Sequence, residues 1–150
     1  LGGLANLRSL HLDATQVSDL SPLSGLTNLR NLWLGNTRVS EISPLGGLTN
    51  LQLLGLSGTQ VSDVSPLGEL VQLTRLVLHD TNVSDVSPLV GLTNLETISL
   101  DGTLVSQEQV ATLQEALPQC TITIGPIITS VRVDRAEYRR PPFPRGDTGG

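Results

Sequence analysis

His79, Ser99 and Asp101 are the residue types of a nucleophilic triad: a hydroxyl to attack, an imidazole to take its proton and a carboxylate to orient the ring. His11 and His79 could ligate zinc through imidazole nitrogens. Asp19, Glu41, Asp63 and Asp85 could offer carboxylate oxygens to calcium. Cys120 is the single thiol, so an internal disulfide framework is ruled out. Whether any of these groups can meet depends on the elements that carry them, and a repeat sets those elements.

Leu10, Leu32, Leu54, Leu76 and Ile98 lie 22 residues apart, as do Leu12, Leu34, Leu56, Leu78 and Leu100. The same step runs from Thr15 to Thr103 and from Val17 to Val105 through every intervening copy. It also links Pro22, Pro44, Pro66 and Pro88, and Leu26, Leu48, Leu70 and Leu92. One unit reads L-x-x-L-x-L-x-x-T-x-V-S, an acid, an aliphatic residue, then S-P-L-x-x-L-x-x. A fixed period of this length is the signature of a solenoid. The L-x-L step alternates with period two, which predicts a short strand with one buried face. Stacked copies then form a parallel sheet with strands about 4.8 Å apart. Ser21, Ser43, Ser65 and Ser87 each precede a proline, which predicts a serine N-cap and a proline at the first position of a short 3₁₀ turn on the opposite side. The threonine column is expected to turn inward and form a hydroxyl ladder that meets the buried turn backbone.

The units, and phrases such as Val61-Ser62-Asp63-Val64-Ser65-Pro66-Leu67 and Gly91-Leu92-Thr93-Asn94-Leu95, resemble the leucine-rich-repeat family. The nearest subtype is the 22-residue bacterial internalin-like and SDS22-like form, over roughly residues 1–124. The resemblance implies an α/β repeat solenoid: a right-handed coil with a parallel sheet on its concave face and short 3₁₀ turns on its convex face. It also implies a protein-binding role for the sheet face. One departure stands out, since the family usually places asparagine where this chain has the threonine column, Thr15 to Thr103. Asparagine offers a donor and an acceptor, threonine one hydroxyl.

The fifth copy breaks the pattern. Ser106 followed by Gln109 fits a capping box, and Val110, Leu113 and Leu117 recur at helical spacing before Pro118. An α-helix over 107–117 and a sixth strand over 121–124 are therefore expected to cap the stack. The domain expectation is a solenoid over 1–125 and a linker or tail over 126–150, in which 127–133 could begin a further strand or domain. Leu1 aligns with Leu23, and there is no Met, so the chain is expected to be an excerpt of a longer protein. Arg145-Gly146-Asp147 in the tail matches the tripeptide recognised by integrins, a match too short to outweigh a linker composition.

The outward strand positions have no core task, so their variety carries the functional information. Between the two core residues lie His11, Trp33, Gly55, Val77 and Ser99; before them, Ser9, Asn31, Leu53, Arg75 and Thr97; after them, Asp13, Gly35, Ser57, His79 and Asp101. His11, Asn31, Trp33, Leu53, Arg75, Val77, His79, Ser99 and Asp101 are the candidate partner-binding residues. An indole beside aliphatics and Arg has the make-up of a binding hot spot, with a hollow expected at Gly35 and Gly55; the alternative is that Trp33 lies flat over Gly55 and shields the sheet.

The same layout disposes of the other chemistries. His79, Ser99 and Asp101 fall on neighbouring rows, but an open sheet supplies no oxyanion hole because its amides are engaged in ladders. His11 and His79 lie three rows apart, about 14 Å by strand spacing, too far for one zinc with ligands at about 2 Å. One carboxylate per row is too few oxygens for calcium, and a charge at each turn's N-terminus is the better reading. Cys120 is expected to be partly buried and inert. A net charge of −5 opposes binding to a phosphate backbone, and no apolar run reaches the roughly 20 residues of a membrane span. The expectation is a monomeric module that binds another protein, without cofactor, metal, nucleic acid or membrane insertion, and not an enzyme. The alternatives are a structural spacer in a larger surface or signalling protein, or the repeat region of a multidomain enzyme. Compartment stays open between a bacterial surface or secreted location and the cytoplasm. Leu56→Ala should lower stability by about 2–5 kcal/mol, as buried leucine truncations do, read from urea unfolding. Neighbouring rows should loosen with it, because each depends on the next.

Overall fold

The computed structural model describes residues 5–125. Six three-residue strands, β1 Ser9–His11, β2 Asn31–Trp33, β3 Leu53–Gly55, β4 Arg75–Val77, β5 Thr97–Ser99 and β6 Thr121–Thr123, form one parallel sheet in sequence order. The register follows the repeat, with Leu10 opposite Leu32, Leu32 opposite Leu54, and so on to Ile98 opposite Ile122. The 3₁₀ turns Ser21–Leu23, Ser43–Gly47, Ser65–Glu69 and Ser87–Leu89 return the chain. Between sheet and turns lies a core of leucine, valine and isoleucine. Leu32, Leu34, Leu54, Leu56, Leu76 and Leu78 are fully buried, while Leu10, Leu12 and Val17 of the first row are half-buried.

Every row is stitched to the next at two places along the backbone. On the sheet side, Leu12, Leu34, Leu56 and Leu78 donate to the carbonyls of Trp33, Gly55, Val77 and Ser99 at 2.8–2.9 Å. Past the corner, Arg38, Gln60 and Asn82 donate back to Val17, Val39 and Val61 at 3.0 Å. Buried peptide groups need such partners, so the 22-residue step is a hydrogen-bonding requirement as much as a packing one.

The threonine hydroxyls meet the turn backbone as expected, and Thr37, Thr59 and Thr81 are buried. Thr15, Thr37, Thr59, Thr81 and Thr103 each donate at 2.7 Å to the carbonyl three residues earlier, from Leu12 to Leu100. Each hydroxyl closes its own turn and reaches no neighbouring row. Links between rows come instead from the asparagines of L-T-N-L: Asn28, Asn50 and Asn94 donate to the carbonyls of Ala5, Thr27 and Val71 at 2.7–3.0 Å. The serines are not N-caps. They are the first 3₁₀ residues, with proline second, and the cap positions are the apolar Leu20, Ile42, Val64 and Val86. Those residues must face the core, so the acceptor comes from one residue earlier: Asp19, Asp63 and Asp85 accept the amides of Ser21, Ser65 and Ser87 at 2.9–3.0 Å.

Helix α1, Gln107–Ala116, ends one residue short of the expected limit, and β6 likewise stops at Thr123. Ser106 Oγ accepts the Gln109 amide at 3.1 Å, as a capping box requires. The Gln109 side chain does not return to Ser106; its Oε1 accepts the Val86 amide at 2.8 Å and ties the helix to the row below. Leu113, Leu117 and Cys120 are buried under it.

The corner after each strand is left-handed. Ala14, Asn36, Gly58, Asp80 and Gly102, one 22-residue column, have φ of 61°, 58°, 69°, 59° and 70°. Glycine adopts this region freely, asparagine and aspartate tolerate it, and alanine does not. Ala14→Gly should therefore raise stability by about 0.5–1 kcal/mol, the left-handed penalty less the added chain entropy of glycine. A urea midpoint that falls would show that Ala14 sits there without strain.

Candidate functional site

The open face of the sheet is built from the outward positions of the strands and the residues that flank them. His11 is exposed, Trp33, Val77 and Ser99 are half-buried, and Gly55 is buried. Gly55 is buried because the Trp33 indole lies flat over it: a methyl group on Gly55 would come within 2.6 Å of Trp33 Cε3. The other side of the indole faces His11, with ring centroids 6.0 Å apart and planes inclined by 23°. Gly35 is filled in the same way. Its amide donates to Asp13 Oδ1 at 2.7 Å, and a Cβ there would meet Ser57 Oγ at 3.0 Å and Asp13 Oδ1 at 3.1 Å. The hollow expected beside Trp33 is thus not open, since the neighbouring rows' own side chains occupy it.

Leu53 and Val77 continue the apolar surface beside Trp33 in the next two rows, both half-buried. Arg75 is exposed opposite Leu53. Asn31 donates to Ser9 Oγ at 3.0 Å, so it is held against the first row. These residues come together as one continuous surface over β2–β4, whereas Ser99, Asp101 and His79 lie towards the α1 end.

The triad residues do not form a triad. The carboxylate beside His79 Nδ1 is that of Asp80, at 3.2 Å. Asp101 Oδ1 is buried without a hydrogen-bond partner among the described residues. The amides of the rows around Ser99 are engaged, with Leu100 N donating to Thr123 O at 2.7 Å and Leu78 N to Ser99 O at 2.9 Å. His11 on β1 and His79 just after β4 are separated by three rows.

Three of the four acids of the column, Asp19, Asp63 and Asp85, have an assigned structural task. The Ser21 hydroxyl and amide hold the Asp19 carboxyl below its ordinary range, and Asp63 and Asp85 are lowered in the same manner by Ser65 and Ser87. These three carboxylates start the turns. Cys120 is buried, which pushes its thiol up to about 11 and keeps it neutral at physiological pH. The expected linker, the 127–133 strand and the Arg145-Gly146-Asp147 motif lie outside the described residues.

The reading of the sequence did not single out the left-handed column or the asparagine links. Both carried a signal: Asn, Gly, Asp and Gly recurring at one corner, and Asn28, Asn50 and Asn94 in one column.

Comparison with known proteins agrees with this architecture. The family profile described as Leucine Rich repeats (2 copies) matches residues 5–47 and again 27–69. Among solved structures, internalin C2 of Listeria monocytogenes is 42% identical, with a TM-score of 0.72 over 81% of this chain and 54% of that one. Internalin F of the same organism is 29% identical, with a TM-score of 0.60 over 80% of this chain and 41% of its own. A leucine-rich-repeat protein of Leptospira interrogans is 26% identical, with a TM-score of 0.76 over 82% and 32%. The chain thus spans about half the length of internalin C2 and less of the other two. No curated protein matches.

Trp33 is the only tryptophan, so its emission reports the face directly. Gly55→Ala should force the indole off β3 into water and shift that emission to longer wavelength, with the fold retained. Unchanged emission would mean that the ring does not rest on Gly55.

Proposed function

The chain is a leucine-rich-repeat protein related to the internalins of Listeria, and from that premise we propose that it is a binding module whose open sheet face receives another protein around Trp33. The observation that carries this reading is the run of Trp33, Leu53 and Val77 across three adjacent rows of a face that no other described element covers. Apolar surface gathered in one place on a soluble domain marks contacts. Trp and Arg, as in Trp33 and Arg75, are the side chains that most often anchor them. The indole is pre-positioned by Gly55 and His11, so little side-chain freedom remains to be lost on docking.

A catalytic role is not part of the proposal, because the amides near Ser99 that an oxyanion hole would need are taken by the ladder. His11 and Asn31 would meet the partner from the first rows, and His79, Ser99 and Asp101 from the last. The test is capture from cell extract by the wild-type chain and by Trp33→Ala, after circular dichroism has established that both fold. A partner held by wild type and lost with Trp33→Ala is the expected result. Equal capture by the two would detach binding from this face and leave a spacer role between other domains.

A further inference from the structure

Residues 1–126 carry eleven acids and only four arginines. Three of those four, Arg8, Arg30 and Arg75, stand at one edge of the open face, where the strands begin, and all are exposed. Asp13, Asp80 and Asp101 stand at the opposite edge, just past the strand ends. Glu96 is the one acid among the corresponding positions of the arginine edge. Between the edges the face is uncharged or apolar, through Trp33, Leu53 and Val77.

The two edges do not neutralise one another. Arg8 and Asp13 are five positions apart across β1, up to about 16 Å at the strand rise. That is roughly twice the screening length at physiological ionic strength. Among the described residues the ion pair present is His79 with Asp80, within the acidic edge. At the other edge Arg8 and Arg30 occupy adjacent rows, for the Arg8 carbonyl accepts the Arg30 amide at 2.8 Å. Like charges in one column of adjacent rows repel, and no acid lies between them to relieve it. Folding alone gives no reason to gather the few cations of an acidic chain in this way.

We propose that the open face selects a polypeptide segment of matching polarity. Its carboxylates lie over Arg8, Arg30 and Arg75, an aliphatic or aromatic side chain lies beside Trp33, and its basic groups lie over Asp80 and Asp101. The axis of the partner's charge separation runs along the strands, because that is the direction in which the face changes sign. In an extended segment, acid and base then stand about five residues apart. Complementary potentials of this kind fix orientation and exclude partners of the wrong sign. The proposal rests on the open face being the binding face, and adds the chemistry of what binds there.

A random sixteen-residue peptide library displayed on phage supplies the probe. It is selected against the wild-type chain, and the winners are measured as synthetic peptides at two salt concentrations. Three folded variants accompany the wild type: Arg30→Glu with Arg75→Glu, Asp80→Lys with Asp101→Lys, and Trp33→Ala. The expected winners carry acid and base on either side of an apolar residue. They weaken about tenfold against each charge-reversed pair, equivalent to about 1.4 kcal/mol, and weaken as salt rises. Peptides that lose binding with Trp33→Ala but ignore both charge reversals would overturn the polarity and leave the binding face standing. Peptides that obey the charge order but ignore Trp33→Ala would uphold the polarity and remove Trp33 as its anchor. Winners bearing acids alone, or no enrichment over a bare surface, would overturn the proposal.

Discussion

Each row of this molecule has its backbone groups satisfied by the row beside it, and that pairing is the constraint on which the other features rest. The strands are three residues long, too short to be stable alone. They persist because Leu12, Leu34, Leu56 and Leu78 donate across to the next row while Arg38, Gln60 and Asn82 donate back at the corner. One row can meet both conditions only if its neighbour has the same length between them. The 22-residue step, the leucine columns and the left-handed corner all follow from that equality. Where the step changes, at the fifth row, a helix takes over the convex side and Gln109 supplies the link to Val86.

The division of labour among polar side chains follows from geometry rather than from residue type. A threonine hydroxyl is one short arm, and from its inward position it reaches the carbonyl of its own turn. An asparagine at the other corner is longer and reaches the row below. The aspartates lie two residues before their serines and accept their amides, because the intervening aliphatic residue belongs to the core. Three polar columns thus close the turn, join the rows and start the 3₁₀ segment. None of them needs a ligand to account for it.

The core was fully legible in the sequence, since burial with a 22-residue period leaves the same residue type in the same column each time. Six strands, a sheet in sequence order and a terminal helix are all legible in the repeat and its break at the fifth copy. The face was legible only in part. Its positions could be assigned to outward columns, but the hollow expected at Gly35 and Gly55 was filled. Whether a glycine is a gap or a seat depends on which way the neighbouring side chain leans, and a pattern of residue types does not encode that. The serine cap failed for a related reason: Ser-Pro suits a helix start in general, but the residue before Ser was already committed to the core. The Thr column was legible as an inward hydroxyl for the turn backbone, but not which carbonyl each one would reach.

The leaning of face side chains has a direction. Asp13 reaches to Gly35, Trp33 lies over Gly55, Asn36 over Gly58 and Asp80 over Gly102, each towards the β6 side. A side chain on one row therefore limits what the following row can carry, whereas the following row's glycine places no matching demand on the row after it. Units that look interchangeable in the core are ordered on the surface. Moving the row of Leu53–Gly58 next to any row but that of Trp33 would keep the leucine columns intact and leave Gly55 without the indole that covers it. Recombination among copies in such an array is thus free inside and grammatical outside. A new face arises by changing rows in adjacent pairs, read from β1 towards β6.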